Sequence, residues 1–85
     1  MTMPGTKSKV LSPIPGVFYR RPAPDKEAFV KEGAAVKTGD VLGLVEVMKN
    51  YYEIKAEADG VLESFLANEE DILDAGQEIA IIAVQ

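Results

Sequence analysis

Two segments of this chain repeat one another. VKTGDVLGLVEV (Val36–Val47) and LDAGQEIAIIAV (Leu73–Val84) align at an offset of 37 residues, with Gly39 over Gly76 and Val47 over Val84. A shorter match, PGVF (Pro15–Phe18) with DGVL (Asp59–Leu62), has an offset of 44. The first half therefore holds about seven extra residues between Gly16 and Val30, a piece that includes RRPAPDKEAF (Arg20–Phe29). A repeat of this kind predicts two related halves facing each other about a pseudo-twofold axis, with one protruding loop.

The halves read as β-structure. Short apolar or alternating runs separated by turn residues occur at Gly16–Arg20, Ala28–Lys31, Val41–Val47, Tyr51–Glu57, Val61–Ala67 and Glu78–Val84. No stretch keeps a clean helical period over ten or more residues. Regular spacing of short strands predicts an all-β sandwich or barrel. Eighty-five residues, 47% of them hydrophobic, suffice for one small domain with a single core. Residues 1–11, rich in Pro, Gly, Thr and Ser, read as a flexible lead-in, so the folded domain is expected over 12–85.

The central hairpin has a specified register. With Met48-Lys49 as a two-residue turn, Val47 faces Asn50, Val45 faces Tyr52, Gly43 faces Ile54 and Val41 faces Ala56. Those pairs make one mostly apolar face, with Gly43 leaving room for Ile54. Glu46 with Tyr51, Leu44 with Glu53 and Leu42 with Lys55 make the other, more polar one. A slip of one residue would exchange the two faces. The turn itself is unusual, because tight hairpins favour Asn-Gly or Asp-Gly over a thioether and a long amine.

Composition narrows the chemistry. There is no cysteine and no histidine, which removes the thiol nucleophile, the commonest general base and the usual zinc ligands. Residues 46–85 carry ten acids against two bases, within a net charge of −5. Such a chain repels phosphate backbones, so no nucleic-acid partner is expected. IAIIAV, the longest apolar run, is too short to cross a bilayer, so no membrane partner is expected either. The start, MTMPGTKSKVL, lacks the apolar core of a secretory signal, and a cytoplasmic location follows as the expectation. NEEDILD (Asn68–Asp74) holds four carboxylates without EF-hand spacing and reads as a solvated acidic turn, so no metal is expected. GDVLG (Gly39–Gly43) is too short for a phosphate loop.

Lys49 is one of seven lysines, and its charge alone leaves two readings open, a solvated turn lysine or a presented amine. The surrounding motif is more telling. Glu46-Val47-Met48-Lys49 resembles the E-A-M-K-M/L signature of biotinyl domains, the biotin carboxyl carrier family. The likeness extends over about residues 12 to 84. It includes an S-P-x-x-G-x-F-Y opening and a P-x-P-D-x-x-A-F loop of the bacterial acetyl-CoA carboxylase carriers.

The resemblance implies a flattened barrel of two four-stranded antiparallel sheets with quasi-twofold symmetry, and a thumb loop at about 20–29 formed by Arg21, Pro22, Ala23, Pro24 and Asp25. It implies a biotin–protein ligase that acylates Lys49 and recognises Glu46, Val47, Met48 and Asn50. A lysine amine, with a reference pKa of about 10.4, must lose its proton before it attacks. Covalent biotin would then carry CO2 from biotin carboxylase to a carboxyltransferase, for acetyl-CoA carboxylation to malonyl-CoA in fatty acid synthesis. The domain itself would be a non-catalytic carrier, its tether replacing a bimolecular encounter by a local concentration. Departures from the family pattern are Val47 for Ala, Asn50 for Met or Leu, the bulky Tyr51-Tyr52 pair, and Arg21 for a small polar residue. The alternatives are a lipoyl carrier, which usually shows Asp-Lys-Ala and no thumb, and an unmodified structural or interaction barrel.

Overall fold

A computed structural model describes residues 6–84. Eight strands follow in order: β1 (Lys7–Leu11), β2 (Gly16–Tyr19), β3 (Ala35–Val36), β4 (Val41–Val47), β5 (Asn50–Lys55), β6 (Gly60–Phe65), β7 (Ile72–Leu73) and β8 (Glu78–Val84). They form two four-stranded antiparallel sheets, β1-β8-β6-β3 and β5-β4-β2-β7. No helix occurs among the described residues. The buried faces meet in one core built on Phe18, Leu42, Val45, Leu62, Leu73, Ile79 and Ile82.

The repeat seen in the sequence is the symmetry of the fold. Strands β3 and β4 correspond to β7 and β8 at the offset of 37, and Gly16 and Gly60, which open β2 and β6, stand 44 apart. Strand β5 lies beside β4 as β1 lies beside β8. Loop hydrogen bonds repeat as well. Gly39 N donates to Ala56 O at 2.8 Å and Gly76 N to Ser12 O at 2.7 Å; Ala56 N donates to Asp40 O and Ser12 N to Gln77 O, both at 2.9 Å. Gly39 and Gly76 have φ of 96° and 83°, a turn geometry open to glycine without strain.

Four expectations are corrected. Of the lead-in, residues 1–5 lie outside the described residues, but Lys7–Leu11 are strand β1, antiparallel to β8, with Val10 buried. Its polar KSKVL sequence hides the strand because Val10 is its only buried residue. Ala28–Lys31 is not a strand: Phe29 N donates to Arg20 O at 2.9 Å, closing the neck of the loop instead of joining a sheet. The hairpin register holds from Gly43 to Asn50, but a β-bulge between Val41 and Gly43 pairs Val41 with Lys55 and turns Leu42 fully inward. The same irregularity recurs by symmetry at Ile79 of β8. Gly43 makes room for Phe18 rather than Ile54, since a β-carbon there would sit 2.6 Å from the Phe18 ring.

Candidate functional site

The β4–β5 hairpin projects its turn away from the core. Val47 and Asn50 form the last pair of the ladder, with Met48 and Lys49 as the two turn residues. Their φ values are 50° and 66°. Positive φ at both central residues is the type I′ arrangement, whose twist matches that of paired strands. Non-glycine side chains adopt it at a cost of order 1 kcal/mol or more each. Met48 is 89% exposed, so core packing does not require a thioether there. Lys49 and Asn50 are exposed as well, and among the described residues no salt bridge engages Lys49. The amine stands free at the apex of two hydrogen-bonded strands.

Glu46 lies on the outward face of β4, opposite Tyr51 on β5 and Val17 on β2. The Tyr19 hydroxyl donates to Glu46 Oε1 at 3.0 Å, and the Tyr19 and Tyr51 rings lie 6.3 Å apart. The Tyr19 phenol is pushed above the ordinary tyrosine value, chiefly by that hydrogen bond, then by partial desolvation and the negative charge of Glu46. The hairpin just below its apex is thus braced by its neighbouring strand.

Beside this face stands the loop of residues 20–29. Lys26 N donates to Ala23 O at 3.0 Å, a β-turn with Pro24 at the position where its fixed φ fits best. The neck is held from the other half: Arg20 N donates to Glu69 Oε1 at 2.6 Å, and the Arg20 guanidinium sits 4.0 Å from the centre of the Phe65 ring. Between loop and sheet lies a cleft of about 410 Å³ lined by Tyr19, Arg21, Pro22, Ala23, Pro24, Leu44, Tyr51, Glu69 and Glu70. Asp25, exposed in the turn, does not line it.

Glu46, Val47, Met48, Lys49 and Asn50 are therefore contiguous at the apex, and Arg21 to Pro24 gather at the cleft. The acidic turn, expected from sequence to be merely solvated, anchors the loop through Glu69 and borders the cleft through Glu70. A signal was available, because extending the 37-residue offset backwards sets Glu70 over Gly33. Among the described residues, no group of three or more carboxylates could hold a metal ion. No helix among them is long and apolar enough to cross a membrane.

Fold and hairpin together define a class: small quasi-twofold barrels with an exposed two-residue turn at the apex of a β-hairpin. Comparison with known proteins agrees. The biotin/lipoyl family, described as biotin-requiring enzyme, matches residues 8–82. The chain is 40% identical over 73 residues to the biotin carboxyl carrier protein of acetyl-CoA carboxylase from Haemophilus influenzae, covering 86% of this chain and 47% of that one. It is 41% identical over 73 residues to the carrier from Streptococcus pyogenes, covering 86% and 44%. It thus spans about half the length of these relatives. A single-chain long-chain acyl-CoA carboxylase shares the fold at a TM-score of 0.78 and 16% identity, over 100% of this chain and 8% of that one. Kluyveromyces lactis urea carboxylase does so at 0.75 and 24%, over 96% and 7%. The chain belongs to the biotin/lipoyl attachment family.

Proposed function

We propose that this chain is the carrier domain of a biotin-dependent carboxylase and that Lys49 is its attachment site. The observation that carries the reading is the exposed Lys49 amine on a left-handed two-residue turn, in a hairpin whose Leu44 and Tyr51 line a cleft against the 20–29 loop. Biotin fits what is present: an accessible primary amine to form the amide, and a cleft within the size range of small-ligand sites, about 300–1,000 Å³. Biotin held on Lys49 would supply a ureido nitrogen able to carry CO2 between a biotin carboxylase and a carboxyltransferase.

Every other task falls to the protein. Val47 and Asn50 close the ladder and fix the height of the apex. Met48, fully projecting, offers a biotin–protein ligase an apolar contact next to the amine, and Glu46, braced by Tyr19, offers it a fixed carboxylate. Of the thumb, Arg21 to Pro24 border the place where the ring would rest, and Asp25 shapes the turn beyond it. The names of the bacterial relatives, carriers of acetyl-CoA carboxylase, support acetyl-CoA as the acceptor; malonyl-CoA for fatty acid synthesis as the product and the cytoplasm as the setting are part of the same proposal.

Co-expression with a biotin–protein ligase, followed by intact mass measurement of the wild type and Lys49→Arg, tests the proposal. A biotin increment in the wild type that vanishes in Lys49→Arg is expected. A lipoyl increment, a biotin increment surviving the substitution, or no increment at all would each refute it.

A further inference from the structure

Apex and thumb leave Glu70 unexplained. Its φ of 67° lies in the left-handed region, where a side chain is strained and glycine is not. The quasi-twofold supplies a comparison inside the same molecule. Glu70 N donates to Phe18 O as Gly33 N donates to Leu62 O, both at 2.7 Å. Asp71 N closes its turn onto Asn68 O as Ala34 N does onto Lys31 O, both at 3.1 Å. Gly33 has φ of 91° and no atom within 4 Å of where a β-carbon would stand, so glycine is used there for its backbone freedom alone. The same turn is thus built twice, once with the unstrained residue and once with a glutamate. The surroundings distinguish them: Glu70 lines the thumb cleft, and Gly33 does not.

Arg21 lines the same cleft. Its Nε is buried without a hydrogen-bond partner and stays 4.0 Å from Glu69 Oε2, whose other oxygen already accepts from Arg20 N. A carboxylate acceptor and a guanidinium with spare donors are the complement of a cyclic urea, which presents N–H donors on either side of a carbonyl oxygen. A urea nitrogen that bears a carboxylate has lost its N–H and brings a negative charge towards Glu69 and Glu70, with Arg21 as the one cation among the lining residues.

We propose that Glu70 is a specificity-determining residue of the thumb cleft: it accepts an N–H of the ring's cyclic urea while Arg21 donates to the carbonyl, so the cleft holds the neutral ring and rejects one carrying a carboxylate. This deepens the carrier reading and rests on it for its biological ring. The consequence is directional, since the thumb shelters the empty ring and gives up the loaded one. Binding need only be weak, because a tethered ring is presented at up to about millimolar effective concentration.

The test uses the full unmodified chain and so does not depend on Lys49 acylation. It follows backbone amide shifts by NMR during titration with biotin methyl ester, with 2-imidazolidone, and with its anionic N-carboxymethyl derivative. Shifts should centre on Arg21, Tyr51 and Glu70, with the anionic probe binding about tenfold more weakly than the neutral ureas. Glu70→Gly should raise Tm through relief of strain yet weaken the neutral probes about tenfold. Glu70→Gln, equally strained, should keep neutral binding and lose most of the discrimination. A purely structural Glu70 would move Tm without moving probe binding, and that result overturns the proposal. So does an anionic probe that binds as tightly as the neutral ones. Either failure alongside a biotin increment on Lys49 leaves the carrier reading standing.

Discussion

Met48 and Lys49 occupy a turn that asparagine and glycine would fill with less strain, and both project into solvent. Nothing inside the protein rewards that choice, so recognition by another protein is the physical reason we assign to it. Replacing Met48-Lys49 by Asn-Gly should stabilise the unmodified domain by about 1–3 kcal/mol and abolish biotin attachment. Urea unfolding and intact mass measure the two effects, and equal or lower stability would remove the strained-apex account. Glu46 gives a second prediction at this scale. Its hydrogen bond is the leading cause of the raised Tyr19 phenol, and its charge acts in the same sense. Glu46→Gln keeps an acceptor but loses the charge, so the Tyr19 pKa should fall towards the ordinary 10.0. An NMR titration of the Tyr19 ring protons reads this directly.

Among the elements, the turn between β3 and β4 is tied to the loop before β6 through Asp59. Thr38 donates to Asp59 Oδ1 from its backbone N–H at 2.8 Å and from its hydroxyl at 3.0 Å. Those bonds, the backbone one first, hold the Asp59 carboxyl below its ordinary 3.8, with Lys37 assisting. A depressed carboxylate contributes stability that is complete above the unfolded value and fades as pH falls through the folded one. The urea midpoint of Asp59→Asn should therefore lie below wild type at pH 7, and the gap should close as pH drops below 3.8. A gap independent of pH would show that charge is not its origin. The long strands and the repeat were legible because β4 and β8 carry a period of apolar residues long enough to read. β3 and β7, two residues each, carry no period at all. The bulge at Leu42 was hidden since an extra residue looks, in sequence, like continued alternation. Of the site, the apex followed from local hairpin register, whereas Tyr19, Glu69 and Glu70 reach the cleft only through pairings between distant strands. Such non-local contacts leave no short-range pattern.

At the scale of the whole molecule the two sheets are closed in the same way, and β1 is what completes the second. It covers β8 as β5 covers β4, and without it the twofold plan lacks one strand. Its ion pairs, Lys7 with Glu63 and Lys9 with Glu78, are largely exposed and add little. The stabilisation comes instead from Val10, buried in the core, and from the backbone ladder between Lys7–Leu11 and β8. Deleting residues 1–11 should therefore cost about 3–5 kcal/mol, from one lost core side chain and a row of hydrogen bonds. It would also bare the edge of β8, whose EIAIIAV sequence has a single charge. An unpaired apolar edge of that length is a template for another chain. The shortened protein should thus associate with rising concentration in sedimentation velocity, while the full chain shows no such dependence. Val10→Ala keeps the ladder and should lose only the packing share, about 1–3 kcal/mol, without association. A shortened chain that unfolds at the wild-type urea midpoint and stays monomeric would make β1 dispensable and return the start of the folded unit to Ser12.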